Sequence, residues 1–187
     1  MIKTKLFTIF TILIFSTYIS AASSSEKLKI TKISGTYELS VPVSRLIMDI
    51  PFTSLIIGET VGGATQSPRY FNFIDNSNNL IISGWFEPQH AFSGIQKFWK
   101  AEVKSWKQRG LPNPQNTLFT KIGNWDSIIY DITIPSGNNS HIRAHWLQAG
   151  TWIDIHLSIT NSKKSEENRT KLKHILNKIS IKVQSES

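Results

Sequence analysis

The spacing of hydrophobic positions changes several times along the chain, and each change predicts an element. Tyr37, Leu39 and Val41 alternate with Thr36, Glu38 and Ser40, the two-residue period of a half-buried strand, which Pro42 ends. Residues 23–35 ahead of it read as an N-terminal lead. Ser23-Ser24-Ser25 is flexible in composition, the alternation from Lys27 to Ile33 allows a marginal strand, and Gly35 punctuates it. Between Ser44 and Gln66 no period holds: Leu46–Ile50 and Leu55–Ile57 are apolar and Gly62-Gly63 interrupts, so an irregular stretch with short extended pieces is expected. Tyr70–Ile74 and Leu80–Phe86 are aromatic and β-branched runs on either side of Asp75-Asn76-Ser77-Asn78-Asn79, which predicts a hairpin closed by Pro88.

A three- and four-residue spacing then takes over. Ile95, Phe98, Trp99, Val103 and Trp106 predict a helix over Ser93–Arg109, with Ser93 as N-cap and Gly110 and Pro112 as the stop. Leu118–Ile122, Trp125–Ile134, His141–Gln148 and Thr151–Thr160 follow, all strand-like. Ser165 can cap a last helix with Leu172, Ile175, Leu176 and Ile179 on one face and Lys164, Lys171 and Lys178 opposite. The expected fold class is α+β: a single domain over residues 36–183, mostly antiparallel sheet with two main helices.

The N-terminus changes where this domain is expected to work. Lys3 and Lys5, an apolar run from Leu6 to Ile19, and the small residues Ser20-Ala21-Ala22 are the three parts of a secretory signal peptide. Residues 1–22 are therefore expected to be removed and the mature chain to act in the periplasm or outside the cell, with no transmembrane segment after processing. The run carries Thr8, Thr11, Ser16 and Thr17 and falls short of the ~20 apolar residues of a spanning helix. With no cysteine there is neither a disulfide nor a lipoprotein attachment point, so apolar burial must carry the fold.

The formal charge is +8, and removing a segment with two lysines and no acid leaves +6 on the mature chain. That balance suits contact with a phospholipid surface. The lysines are scattered, no reader motif accompanies them, and export argues against nucleic acid as a partner.

The last strands permit a finer reading, because Ala149-Gly150 is a two-residue hairpin turn that fixes register on both sides. Gln148 then faces Thr151, and His145 faces Asp154, Arg143 faces His156 and His141 faces Ser158. Trp146, Ala144 and Ile142 meet Ile153, Ile155 and Leu157 on the other side. Placing Asp131 opposite Arg143 and Ile129 opposite His145 extends the separation to a third strand, with Ile128, Tyr130 and Ile132 on the apolar face. The polar face then gathers Asp131, His141, Arg143, His145, Asp154 and His156, with Trp152 and Leu147 at one edge.

Three readings of that face stand side by side. It is a solvated sheet surface in which Asp131 pairs with Arg143 and Asp154 with His145, the ordinary use of opposite charges across strands. It is a metal site, with His145, Asp154 and His156 sharing one zinc, against which Arg143 would repel a cation. Or it is a binding floor on which Trp152 stacks and Arg143, His145 and His156 hold an anionic or sugar-like ligand.

Other chemistry is thinly supported. His141 and His145 lack the glutamate of a metalloprotease helix, and no GxSxG elbow or phosphate loop is present. No cofactor is required, and zinc is the one metal the residues suggest. Of six tryptophans, Trp99, Trp106 and Trp146 lie on apolar faces, leaving Trp85, Trp125 and Trp152 as candidate surface aromatics.

The order of strands, helix, strand meander and C-terminal helix resembles the PsbP/MOG-like α+β fold, which includes the DcrB-like envelope proteins. The residues that carry the likeness are Gly35-Thr36-Tyr37-Glu38-Leu39-Ser40-Val41-Pro42 and the hairpin from Arg143-Ala144-His145-Trp146 to Trp152-Ile153-Asp154-Ile155-His156. The resemblance implies an accessory or binding protein without a universal set of catalytic residues, and carries no functional residue across. The expectation is a non-enzymatic, exported accessory protein that contacts another envelope or secreted protein through its polar face or sheet edge.

Overall fold

The structure, a computed structural model, describes residues 27–41, 44–58, 69–135, 137–161 and 165–184. The signal-like segment, Gly62-Gly63 and Lys164 lie outside them.

Four strands form a small antiparallel sheet. β1 (Lys29–Ile33) and β2 (Thr36–Val41) are joined through Ser34 and Gly35, both at positive φ, the backbone of a tight hairpin turn. Residues 29–33, read as part of a lead, thus belong to the folded body, and Leu28 before them is buried. β3 (Leu46–Ile50) pairs with β2, and β11 (Ser180–Val183) adds itself to β3. The stretch expected to be irregular therefore holds a central strand, with Leu46, Met48 and Ile50 wholly buried. A run buried beyond the alternating side loses its period, which hid it in the sequence.

The large sheet has seven antiparallel strands in the order β4-β5-β6-β10-β9-β8-β7. β4 (Ile56–Ile57) is an edge strand of two residues. β5 (Tyr70–Asp75) and β6 (Leu80–Pro88) form the expected hairpin, tied at its turn by Asp75, whose carboxylate accepts hydrogen bonds from Ser54, Ser77 and Asn78. β7 (Gln115–Ile122), β8 (Trp125–Ile134), β9 (Gly137–Gln148) and β10 (Thr151–Asn161) complete it.

One face of this sheet is closed by the small sheet and by α2 (Ser165–Lys178). Phe71, Phe73, Ile82, Phe86, Ile142, Ile153, Ile155 and Leu157 meet Leu39, Met48 and Ile50 from the small sheet and Leu172, Ile175 and Leu176 from α2, as the helical period predicted. Asn161 and Asn168 exchange amide hydrogen bonds at 3.0 and 2.9 Å and fasten α2 to β10. Gly84 in β6 lets Phe71 and the Asp154 carbonyl approach where any Cβ would collide with both.

The opposite face carries α1 (Ile95–Gln108). Its N-cap is Gly94, with no side-chain cap, so Ser93 does not take the role expected of it. Trp99 and Trp106 press onto Ile128 and Tyr130, with Ile95, Phe98, Val103 and Phe119 around them, making a second core distinct from the first. The large sheet is thus covered on both sides.

Candidate functional site

The hairpin register of β9 and β10 is as expected: His145 opposite Asp154, Arg143 opposite His156, His141 opposite Ser158. The third strand differs. β8 places Ile128 opposite Arg143, Tyr130 opposite His141 and Asp126 opposite His145. This is an odd shift from the expected pairing, so every β8 side chain changes face. Tyr130 and Ile128 join the histidines, and Asp131 leaves them.

Asp131 lies on the α2 side, opposite Ser140, where its carboxylate accepts hydrogen bonds from Arg169 and Asn116. Burial would raise its pKa, but Arg169, Asn116 and Ser140 together hold it below the usual carboxylate value. The expected Asp131–Arg143 pair does not exist.

The face is also dry, which overturns the solvated reading. His141, Arg143, His145 and Asp154 are buried beneath α1 and the residues that lead into it, and His156 is partly buried. Arg143 donates from Nε and Nη2 to the two Asp154 oxygens, both at 2.6 Å, a bidentate ion pair. Its guanidinium carbon stands 5.3 Å from the Trp85 ring centre and 5.2 Å from that of Phe98, packed against the faces of both rings. Burial opposes the charge, yet Asp154 and, more weakly, Glu102 keep the Arg143 pKa above its ordinary value, so the guanidinium stays cationic.

His145 sits 3.5 Å from Asp154, but burial pulls its pKa down to about 4, so at neutral pH the contact joins a neutral ring to a carboxylate already held by Arg143. Trp152 donates its indole N–H to His145 Nδ1 at 3.1 Å, which places the imidazole proton on Nε2. Phe92 and Phe98 enclose that ring at 5.2 and 4.5 Å between centres. Trp152 is therefore a wall of this cluster rather than an open stacking platform. Trp85 and Trp125 are buried as well, against the expectation of surface aromatics.

His141 and His156 form a second group. Their rings share a hydrogen bond of 2.9 Å between Nδ1 and Nε2, and the Tyr130 hydroxyl reaches the same His156 nitrogen at 3.2 Å. The three rings lie parallel within 6°. Burial holds His141 down to about 3 and puts His156 well below the usual imidazole range, with neighbouring His141 and Arg143 adding to the latter. Burial likewise raises the Tyr130 hydroxyl far above its normal value, so it acts only as a neutral hydrogen-bonding group.

The candidate metal trio is split between these groups. Asp154 spends both oxygens on Arg143, His145 accepts from Trp152, and His156 is turned to His141 and Tyr130. Among the described residues no three His, Asp or Glu side chains converge as a metal shell. The cluster is arranged as an internal polar lining that fits α1 to the sheet.

An open concavity lies elsewhere, between α1 and β7: a groove of about 520 Å³ lined by Gln96, Lys97, Trp99, Lys100, Val103 and Phe119. Sequence reading placed Trp99 and Val103 in the core and weighed the α2 lysines instead. The signal that pointed here is the spacing of Lys97, Lys100, Lys104 and Lys107, one face of α1, all exposed.

No family model matches the chain, and no curated protein matches it. Among solved structures, it is similar to a protein of Bacteroides thetaiotaomicron VPI-5482 at a TM-score of 0.45 and 11% identity, over 82% of this chain and 50% of that one, so it spans about half of that protein's length.

Proposed function

We propose that the protein is a non-enzymatic accessory protein that acts by holding a protein partner against the open end of its large sheet, where β7 runs beside α1. What carries this reading is the contrast between two regions. Most of the chain's densest polar chemistry, at Arg143, His145, Asp154, His141 and His156, is spent on internal partners beneath α1, with His141 Nε2 and His145 Nε2 buried and without a hydrogen-bond partner. β7, by contrast, ends the sheet, pairs only with β8 among the described residues, and leaves Leu118 half exposed. An unpaired sheet edge is a template for another chain.

Export to the periplasm or beyond rests on the signal-peptide pattern of residues 1–22. No helix among the described residues is long and apolar enough to cross a membrane. The strand, helix, meander and helix order supports the PsbP/MOG-like assignment, and with it an accessory role.

A photoreactive benzoylphenylalanine at Leu118, introduced in the native host, tests the reading. It should yield a discrete cross-linked protein adduct that the same group at Val183, exposed on β11, does not give. Equal adducts at both positions, or none at Leu118, would overturn it.

A further inference from the structure

The four exposed lysines of α1 lie along one stripe, and the helix's only acid, Glu102, is buried with one oxygen accepting the Trp106 indole N–H at 3.2 Å. Among the described residues none of the four makes an ion pair. On the neighbouring strand, Lys121 is paired with Asp126 across β7 and β8 at 3.3 Å. The groove beside the stripe therefore presents unneutralised positive charge at Lys97 and Lys100 over a floor of Trp99, Val103 and Phe119.

We propose that this groove binds an extended protein segment in which acidic and apolar residues alternate, laid along the outer edge of β7. Successive side chains of a strand point to opposite faces. The acidic set meets the α1 groove, where its carboxylates reach Lys97 and Lys100 and their methylene stems lie over Phe119. The other set meets Leu118, which β7 turns to the opposite face. A bilayer is a poorer fit: Trp99 is only 9% exposed and Val103 and Phe119 are half-buried, so little apolar side chain is left to insert among lipids.

The inference rests on the partner-binding reading and goes beyond it in naming the segment's chemistry. Its test is the binding of a short fluorescein-labelled peptide of alternating glutamate and valine to the mature chain, read by fluorescence anisotropy. Binding should weaken with added salt and fall by roughly tenfold or more in Lys97→Glu/Lys100→Glu, since two exposed attractions become repulsions. The control Lys27→Glu/Lys29→Glu makes the same change in net charge at the β1 edge of the small sheet, across the large sheet from α1, and should shift binding by less than about twofold; thermal melts verify that both variants fold. No binding by the wild type, equal losses in the two variants, or equal binding of a lysine–valine peptide would overturn the proposal. So would attachment to phosphatidylglycerol vesicles that depends on Lys97 and Lys100 while the peptide stays free, which would make the surface a membrane contact. A Leu118 adduct without peptide binding would remove only the acidic segment; loss of both would remove the partner-binding reading too.

Discussion

His145 shows how far a side chain's environment can depart from its place in the sequence pattern. It faces Asp154, as the turn at Ala149-Gly150 requires, yet it is neutral, because desolvation outweighs the pull of the carboxylate. Stability should depend on pH accordingly. In the unfolded chain the imidazoles take protons near pH 6.5, whereas in the folded chain His141 and His145 do so only near about 3 and 4, and His156 also well below 6.5. The unfolded state thus binds more protons as pH falls. The stabilisation is present in full above pH 6.5 and is lost progressively below it, at no more than about 1.4 kcal/mol per pH unit for each imidazole. Urea unfolding between pH 6.5 and 4.5 should show this loss, with a shallower slope in His145→Gln, whose amide oxygen can still accept from Trp152. An unchanged slope in that variant would mean His145 titrates normally.

Among the elements, legibility followed how many faces are buried. The β9–β10 register was readable because a turn dictates it locally. The β8 register was not, because both faces of the large sheet are covered: Tyr130 and Ile128 pack under α1 while Ile129 and Ile142 pack toward the main core. Sorting polar from apolar residues assumed one wet face, and that assumption put Asp131 on the wrong side. β3 was read only as a short extended piece of an irregular stretch, and β11 not at all, for a related reason, since a buried run and a four-residue strand carry little period. α1 was legible from its spacing, while its buried acid, Glu102, which accepts from Trp106 one turn on, was not singled out. The turn that fixed the hairpin also holds a residue under strain. Ala149 lies at φ 47°, a left-handed conformation that asparagine adopts more readily. Ala149→Asn should therefore raise the midpoint of thermal unfolding, by about 0.5–1 kcal/mol in stability, while a lowered midpoint would show the side chain is held by contacts rather than backbone preference.

For the molecule as a whole, the arrangement separates scaffold from surface. Two cores lie on opposite sides of one sheet; the polar cluster fits α1 to that sheet, and α1 in turn displays a basic stripe beside the β7 edge. The fold class and the rows of β9 and β10 could be read from the sequence. The proposed binding surface could not, because it combines an edge strand, whose position depends on sheet order, with a helix face that reads as an ordinary solvated one. The central claim is that binding occurs at this surface and not at the histidine cluster. Amide chemical-shift mapping of ¹⁵N-labelled residues 23–187 during addition of the glutamate–valine peptide tests it directly. The account predicts saturable shifts at Lys97, Lys100, Val103, Leu118 and Phe119, with His141, Arg143, His145 and Asp154 unmoved. Shifts centred on those four residues instead would contradict it and make the buried cluster the binding site.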